Sequence, residues 1–320
     1  MTRYILRRAG TSLLLLVLAS ILVFLVLRVV PGDPTITKLG EARGIDPRAA
    51  AELRHQIGLD RSLPEQYWSW ISGFVYGDFG KSYFSQFPVT TLIGERVGAT
   101  LELALLSLAL GLLIAVPAAL FAAVRRSRWL NAGLSGFTTF GMATPPFLVG
   151  IVLIIVFSIK LNVLPARGYV SCLHDPAESL KAALLPAITL SIAVAAPLLR
   201  VLRASLADGV SAPYIRTAEG KGLLWRQVVL RHLAPNAAIP ALTVLGVIVG
   251  SLLGGTVVVE FVFGREGLGT LVIDSVEKRD YAVLQTLVLL AVGFFVLTTL
   301  AVDLLYGVLD PRLRAQRVEA

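Results

Sequence analysis

The 320-residue sequence is poor in charged residues, cysteine and histidine. Asp, Glu, Lys and Arg make up 16% of the chain and 56% of the residues are hydrophobic, a composition that excludes an ordinary soluble domain. A single cysteine, Cys172, excludes an internal disulfide. The histidines His55, His174 and His232 stand apart and outside any H-E-x-x-H or paired-cysteine motif. We therefore expect no metal site.

The sequence also lacks the motifs of an enzyme. No segment matches G-x-x-x-x-G-K-[ST], the loop with which many ATPases hold phosphate, so any energy from ATP has to come from another protein. Ionisable residues are nearly absent from the apolar segments, which leaves few candidates for the proton or sodium relay of a secondary transporter. No nucleophile and base converge there either, so we predict no catalytic residue.

Long hydrophobic runs are what the sequence has in abundance, and its mean hydropathy is +0.77. Because a helix rises ~1.5 Å per residue, about 20 apolar residues cross a hydrocarbon core ~30 Å thick. The sequence therefore predicts an all-α integral membrane protein with six transmembrane helices. The six runs extend over residues 9–27, 103–124, 129–159, 182–199, 233–259 and 281–302.

Basic residues predict which side of the membrane is cytoplasmic. Six crossings place both termini on one side, where basic residues outnumber acidic ones by fifteen to four. Segments rich in Lys and Arg stay in the cytoplasm, so we expect both termini there. The same asymmetry accounts for the net charge of +8, and no nucleic-acid partner is expected.

The segment between the first two spans carries signals for two short helices. Asp46-Pro47 begins the first and Gly58 ends it, and Ser62 with Glu65 has the spacing of a capping box. The second helix presents an aromatic face that either lies at the level of the lipid headgroups or packs on neighbouring helices of the same chain. This face consists of Tyr67, Trp70, Ile71 and Phe74.

These features divide the chain into four parts. An N-terminal transmembrane helix precedes a small helical extracytoplasmic insertion, and a main transmembrane domain with helices two to six precedes a short cytoplasmic tail. A polar and basic segment, residues 213–240, interrupts the main domain. The four parts are residues 1–30, 31–94, 95–306 and 307–320.

Glycine and proline mark positions where helix packing or bending is expected. Gly246, Gly250 and Gly254 recur every four residues in the fifth span, a pattern that lets another helix approach closely. Proline removes a backbone donor and bends a helix unless neighbours compensate, which suits either an ordinary membrane helix or a hinge. The spans contain Pro117, Pro145, Pro146, Pro186 and Pro197.

The outer end of the fifth span carries a charge beside aromatic residues, Glu260 before Phe261 and Phe263. An ionisable residue at such a position either belongs to a translocation path or gate, or is an edge residue with a partner inside the protein. Both interpretations stay open, and these three residues are the candidates for the path.

The polar segment between spans four and five has the signals of a short helix. Pro213 stands where a helix begins and Gly222 where a left-handed residue ends one. A second helix from Trp225 is predicted to be interrupted by Pro235. The segment is either an ordinary connection or a rigid polar surface on which a partner acts. The candidate contact residues are Tyr214, Ile215, Arg216, Thr217, Ala218, Glu219, Lys221 and Gly222.

Short motifs follow one another along nearly the whole chain. They include P-G-D-P at 31–34, G-D-F-G at 77–80, A-T-L-E-L-A at 99–104, L-P-A-R-G-Y at 164–169, Y-I-R-T-A at 214–218 with K-G at 221–222, and L-D-P-R at 309–312. Each is weak alone, whereas the order and spacing are specific. With these motifs the chain resembles the membrane subunits of dipeptide and oligopeptide ABC importers, the DppB and OppB type of bacterial inner (plasma) membrane permease.

The resemblance implies the fold of a type I ABC importer permease, which pairs with a second, homologous permease. It also implies two cytoplasmic ATPase subunits that bind ATP and Mg²⁺, and an extracytoplasmic substrate-binding protein, with no cofactor in this chain. Residues 214–222 correspond to the coupling helix, which sits in a cleft of the ATPase. This chain has Arg216 where the wider consensus has an acid, so an acid-based contact is not carried over.

Peptides are the cargo that the resemblance implies. Related permeases carry nickel chelates, glutathione, haem or oligosaccharides, and the binding protein does much of the selecting, so these cargoes remain alternatives. A secondary transporter or channel that works without ATPases is the alternative from another class. This alternative is favoured if the polar segment, residues 213–240, contacts no partner.

Overall fold

The computed structural model describes residues 2–29 and 47–309, and within these ranges the regular elements are helices. The first part of the predicted insertion, including Asp46, and tail residues 310–320 lie outside the described residues. In chain order the helices are α1 (Thr2–Val29), α2 (Pro47–Gln56), α3 (Leu63–Val75), α4 (Val89–Arg125), α5 (Arg128–Ala143), α6 (Pro146–Leu153), α7 (Pro176–Gly209), α8 (Pro213–Gly220), α9 (Trp225–Val228), α10 (Ala234–Val262), α11 (Leu268–Glu277) and α12 (Tyr281–Leu309).

Within the described ranges, five stretches are long and apolar enough to cross a membrane, namely most of α1, then α4, α7, the stretch from α9 through α10, and most of α12. Two further helical segments, α5 and the segment formed by α6 with the π-helix Ile154–Lys160, meet at an angle of 105°. If they are counted together as one bent span, the number of crossings is six. The predicted third span, residues 129–159, is therefore bent at its two adjacent prolines, as proline within a span indicates. Thr144 and Pro145 are extended, and Pro145 and Pro146 cannot donate backbone hydrogen bonds.

The chain divides into two compact units, one of residues 1–100 and 265–296 and the other of residues 101–264 and 297–320. In the first unit, α3 packs on α1 through its aromatic face. The Tyr67 hydroxyl lies 2.8 Å from Ser20 Oγ, and the rings of Tyr67 and Trp70 lie 5.3 and 6.1 Å from that of Phe24. The structure thus favours packing within the chain for this face.

The short helices of the first unit begin and end largely as expected. The helix predicted to end at Gly58 is α2, and Gly58 has a φ of 71°. At α3, Glu65 Oε2 accepts a hydrogen bond from Ser62 N at 3.2 Å, one half of the predicted capping box. Pro64 lies in the first turn, where a missing N–H costs nothing.

A buried carboxylate joins the loop after α3 to the start of α12. Asp280 Oδ2 accepts from Ser82 Oγ at 2.5 Å, and its Oδ1 accepts from Tyr83 N at 3.1 Å. Burial raises the pKa of the Tyr83 hydroxyl, so this phenol stays neutral at physiological pH. The apolar side chains of Val89, Leu271 and Val283 form the core beneath this loop.

The core of the second unit is built around α7, the most buried of the long apolar helices. Small residues let its neighbours approach closely. A Cβ at Gly111 of α4 would lie 2.5 Å from Val194 Cγ1, and one at Gly141 of α5 would lie 2.8 Å from Ala196 Cβ. These contacts pack α4 and α5 against α7, the helix that precedes the polar segment.

Candidate coupling surface

The polar segment folds as the short helix that its sequence predicts. Pro213 occupies the first turn of α8, and Gly222 adopts a φ of 77° just beyond its end. Gly222 N donates to Glu219 O at 2.9 Å, and Leu223 N donates to Ala218 O at 3.3 Å. These bonds close the last turn, so the helix ends sharply and the chain turns back toward Trp225.

The eight candidate residues lie on different faces of α8 and its cap. Ile215 and Ala218 are buried in a core with Val228, Val229 and Leu233, so a partner cannot touch them directly in this structure. The remaining six are exposed, namely Tyr214, Arg216, Thr217, Glu219, Lys221 and Gly222. The helix α8 therefore has one apolar face that is anchored in the core and one charged face that is exposed.

Contacts on both sides fix α8 relative to the long helices of its unit. Trp225 Nε1 donates to Ala123 O near the end of α4 at 2.9 Å, and the Arg126 guanidinium lies 3.6 Å from the Trp225 ring centroid. Asn236 Nδ2 donates to the Tyr214 hydroxyl at 3.4 Å. Trp225 and Asn236 are thus positioning residues that the sequence did not indicate, and nothing local marks Ala123 as the partner of Trp225.

The connection from α9 to α10 corrects the prediction that Pro235 interrupts the helix. Residues Trp225–Val262 form one helical stretch, and a π-helical turn, Val229–Leu233, precedes the proline. Ala234 N donates to Val229 O, five residues earlier. The wider turn accommodates the proline ring without a break. The turn after α8 therefore leads into one continuous helical stretch that is long and apolar enough to cross a membrane.

The path candidates do not share one environment. Glu260 is completely buried and engaged in an interaction. Phe263 is 2% exposed and packs in a core with Leu103 and Leu185. Phe261 is 56% exposed. Of the three, Phe261 alone presents its ring on the surface of the described chain.

The three glycines of α10 also differ in their surroundings. A Cβ at Gly246 would lie 2.5 Å from Val302 Cγ2 of α12, whereas a Cβ at Gly254 would meet no atom within 4 Å in the described chain. Gly250 is buried. The close approach to another helix is seen at Gly246, and the role of this pattern as a whole stays a prediction.

Gly246→Ala is expected to lower the melting temperature of the purified chain in detergent, since the added methyl overlaps Val302 and overpacking costs about 1–3 kcal/mol. Gly254→Ala is the matched control on the same helix. It should leave the melting temperature unchanged or raise it, because alanine favours a helix over glycine by up to about 1 kcal/mol. Equal melting temperatures for the two variants would contradict the packing assignment of Gly246.

Long apolar helices around α7, with a short polar helix anchored among their ends, define an α-helical membrane protein. A solved structure of the MetNI methionine ABC transporter in an inward-facing conformation has a similar fold, with a TM-score of 0.54 at 18% identity. The match covers 69% of this chain and 97% of that one.

Comparisons of sequence identify the family. Residues 115–315 match the binding-protein-dependent transport system inner membrane component, and residues 1–104 match the N-terminal part of such components. The glutathione transport system permease protein GsiC of Escherichia coli is 40% identical over 98% of this chain and 99% of its own. The probable peptide ABC transporter permease protein y4tP of Sinorhizobium fredii is 35% identical over 97% and 99%.

The chain therefore belongs to the family of binding-protein-dependent transport system inner membrane components. The resemblance to ABC importer permeases of the dipeptide and oligopeptide group is confirmed, as is the all-α membrane permease fold. The protein is a multi-pass membrane protein and a permease subunit of a transporter.

Proposed function

We propose that this permease carries peptides across the bacterial inner membrane with energy from separate ATPase subunits, which act on the exposed face of α8. The observation that supports this most is the split of α8 into a buried face with Ile215 and Ala218 and an exposed face with Arg216 and Glu219. A helix that is anchored on one side transmits a push from the other into the long helices to which it is bonded.

The assembly follows from this role. A second, homologous permease completes the translocation path, two cytoplasmic ATPases bind ATP and Mg²⁺, and an extracytoplasmic binding protein delivers the cargo. The excess of basic residues beside α8 and at both termini supports a cytoplasmic location for α8 and the termini. The segment 31–94 then lies outside.

Peptides are the first choice of cargo because a relative named as a probable peptide permease matches nearly the full chain. Glutathione is the second candidate, since a permease named for glutathione transport is 40% identical over almost the same length. Both solutes carry amide groups and a free carboxylate, so one path can suit either.

Arg216→Glu tests the proposed ATPase contact. The variant reverses an exposed charge on α8 without touching the buried face, and reversal of a charge at an interface costs several kcal/mol when like charges then meet. We expect co-purification of the ATPases and ATP-dependent uptake into proteoliposomes to fall by about 10-fold or more, because 1.4 kcal/mol corresponds to a factor of ten. Membrane insertion should stay normal.

The matched control is Arg128→Glu, which reverses an exposed charge at the start of α5, on the same predicted side of the membrane. It should leave co-purification and uptake close to wild type. Equal losses in both variants would point to a general charge effect. Unchanged ATPase association and uptake in Arg216→Glu would remove the proposed contact, and uptake without any ATPase would favour a secondary transporter.

A further inference from the structure

A cavity of about 900 Å³ lies in the second unit beside Trp225 and is lined by residues of α4, α5 and α7. Sites for small molecules have volumes of about 300–1,000 Å³, so a ligand the size of a short peptide fits. We name it the arginine cavity after Arg126, Arg200 and Arg203, which all line it. None of the candidate contact residues of α8 belongs to its lining.

One face of α5 makes part of this cavity polar. The lining residues Asn131, Ser135, Thr138, Thr139 and Met142 recur at helical spacing along it. Amide and hydroxyl groups on a helix within an otherwise apolar run mark the side that faces a water-filled or ligand-filled space. Asn131 Nδ2 already donates to Ser127 O and Thr138 Oγ1 to Ser135 O, so the exposed hydroxyls of Ser135 and Thr139 are the groups of this face that a ligand can reach.

The three arginines have different tasks. Arg203 braces α7 against α5, since its Nη2 donates to Asn131 Oδ1 at 3.0 Å and its Nη1 donates to Ser135 Oγ at 3.2 Å. Arg126 stacks on the Trp225 ring. Arg200 is exposed, and its Nη1 lies 3.8 Å from Met142 Sδ, a weak acceptor. Arg200 thus has most of its donors available for a ligand.

The charge of the arginine cavity is uncompensated. Its lining contains neither Asp nor Glu, and within the described parts of the chain none of the three arginines takes part in an ion pair. The buried Nε of Arg203 has no hydrogen-bond partner in those parts either. Like charges in a partly desolvated cleft raise the local potential and attract an anion.

We propose that the arginine cavity binds the free carboxylate of a small peptide, with Arg200 as the residue that contacts it, Arg203 as a positioning residue and the polar face of α5 as the site for the peptide amides. This inference rests on the proposed function and names a site for its cargo. The phosphate of an anionic lipid has the same oxyanion chemistry, but its acyl chains do not match a face of amide and hydroxyl groups. A guanidinium binds a carboxylate through two parallel hydrogen bonds.

The test measures direct binding to the assembled, nucleotide-free complex in phosphatidylcholine nanodiscs, without the binding protein. The probes are trialanine with a free carboxylate and trialanine with a C-terminal amide. Arg200→Gln should weaken the binding of free trialanine by about 10-fold or more, the loss expected when a hydrogen bond to a charged group is removed. The amide should bind equally weakly to the wild type and to Arg200→Gln.

Arg226→Gln is the matched control, since Arg226 is exposed one residue after Trp225 and does not line the cavity. It should bind free trialanine like the wild type. Because Arg200 is exposed, its variant should keep the wild-type melting temperature, which separates loss of binding from loss of folding.

Three results would overturn the inference. These are no measurable binding of trialanine to the wild type, equal binding of acid and amide, and an affinity of Arg200→Gln equal to the wild type. Phosphatidylglycerol that displaces trialanine from the wild type but not from Arg200→Gln would assign the cavity to lipid phosphate instead.

ATP-dependent uptake into proteoliposomes, measured on the same complex, separates this inference from the proposed function. If the complex shows ATP-dependent uptake but binds the free acid and the amide equally well, the arginine cavity is not the cargo site and the proposed function still holds. Carboxylate-selective binding that depends on Arg200, in a complex that shows no ATP-dependent uptake, keeps the site and removes the function.

Discussion

Ile215→Asp is expected to abolish ATP-dependent uptake by the assembled complex while the chain still inserts into the membrane. Ile215 is 1% exposed and lies in the core that joins α8 to α9 and α7. An unpaired carboxylate cannot stay in such a core without a cost of several kcal/mol. At about 3 kcal/mol the equilibrium constant for anchoring α8 falls by more than about 100-fold, so uptake into proteoliposomes should be lost or greatly reduced.

Ile215→Val is the conservative control for this variant. It keeps an apolar side chain at the buried position and costs about 0.5–1.5 kcal/mol, so uptake should remain measurable and α8 should stay in place. Protease accessibility of the α8 segment provides a second readout, with rapid cleavage expected in Ile215→Asp and slow cleavage in Ile215→Val. Wild-type uptake by Ile215→Asp would show that the anchoring of α8 does not carry the transport cycle.

The position of α8 could be predicted from its sequence because its ends are marked by residues with strong local preferences. Pro213 fits the first turn and Gly222 fits a left-handed position. The division of its faces was missed, although Ile215 and Ala218 are spaced three apart, as residues on one side of a helix are. The eight candidate residues within 214–222 are predicted from the sequence as one contact set, without this division.

The contacts that fix α8 to the long helices could not be predicted from local sequence signals. Trp225 bonds to Ala123, which lies 102 residues earlier in the chain, and this contact exists only because α4 and α9 meet in the folded unit. In the same way, the polar face of α5 is visible in the sequence as a periodic pattern, whereas its closeness to Arg200 and Arg203 depends on how α5 packs on α7.

The prolines indicate where a helix is irregular, but they do not predict whether it bends or continues there. Pro145 and Pro146 mark a bend of 105°, whereas Pro235 follows a π-helical turn within a continuous helical stretch. The difference depends on neighbouring residues. Thr144 and Pro145 are extended, whereas Ala234 N still donates to Val229 O, so the helical bonding continues up to Pro235.

The same contrast between local signal and packing applies at the C-terminal end of α10, where Phe263→Ala is expected to destabilise the protein strongly. Phe263 packs with Leu103, Leu185 and Val259, and its ring lies so close to Gly150 that a Cβ there would be 2.9 Å from Cε2. Removing a buried phenyl ring costs about 3–5 kcal/mol through lost contacts and the cavity left behind. The melting temperature of the purified chain should therefore fall sharply.

Phe261→Ala separates a role in the path from a role in the fold. Phe261 is largely exposed two residues earlier on the same helix, so its removal should change the melting temperature little. If Phe261 belongs to the path or gate, this variant alters ATP-dependent uptake at nearly normal stability, whereas Phe263→Leu, which keeps an apolar side chain, restores most of the stability lost in Phe263→Ala. A large loss of stability in Phe261→Ala, or none in Phe263→Ala, would contradict the environments assigned to the two rings.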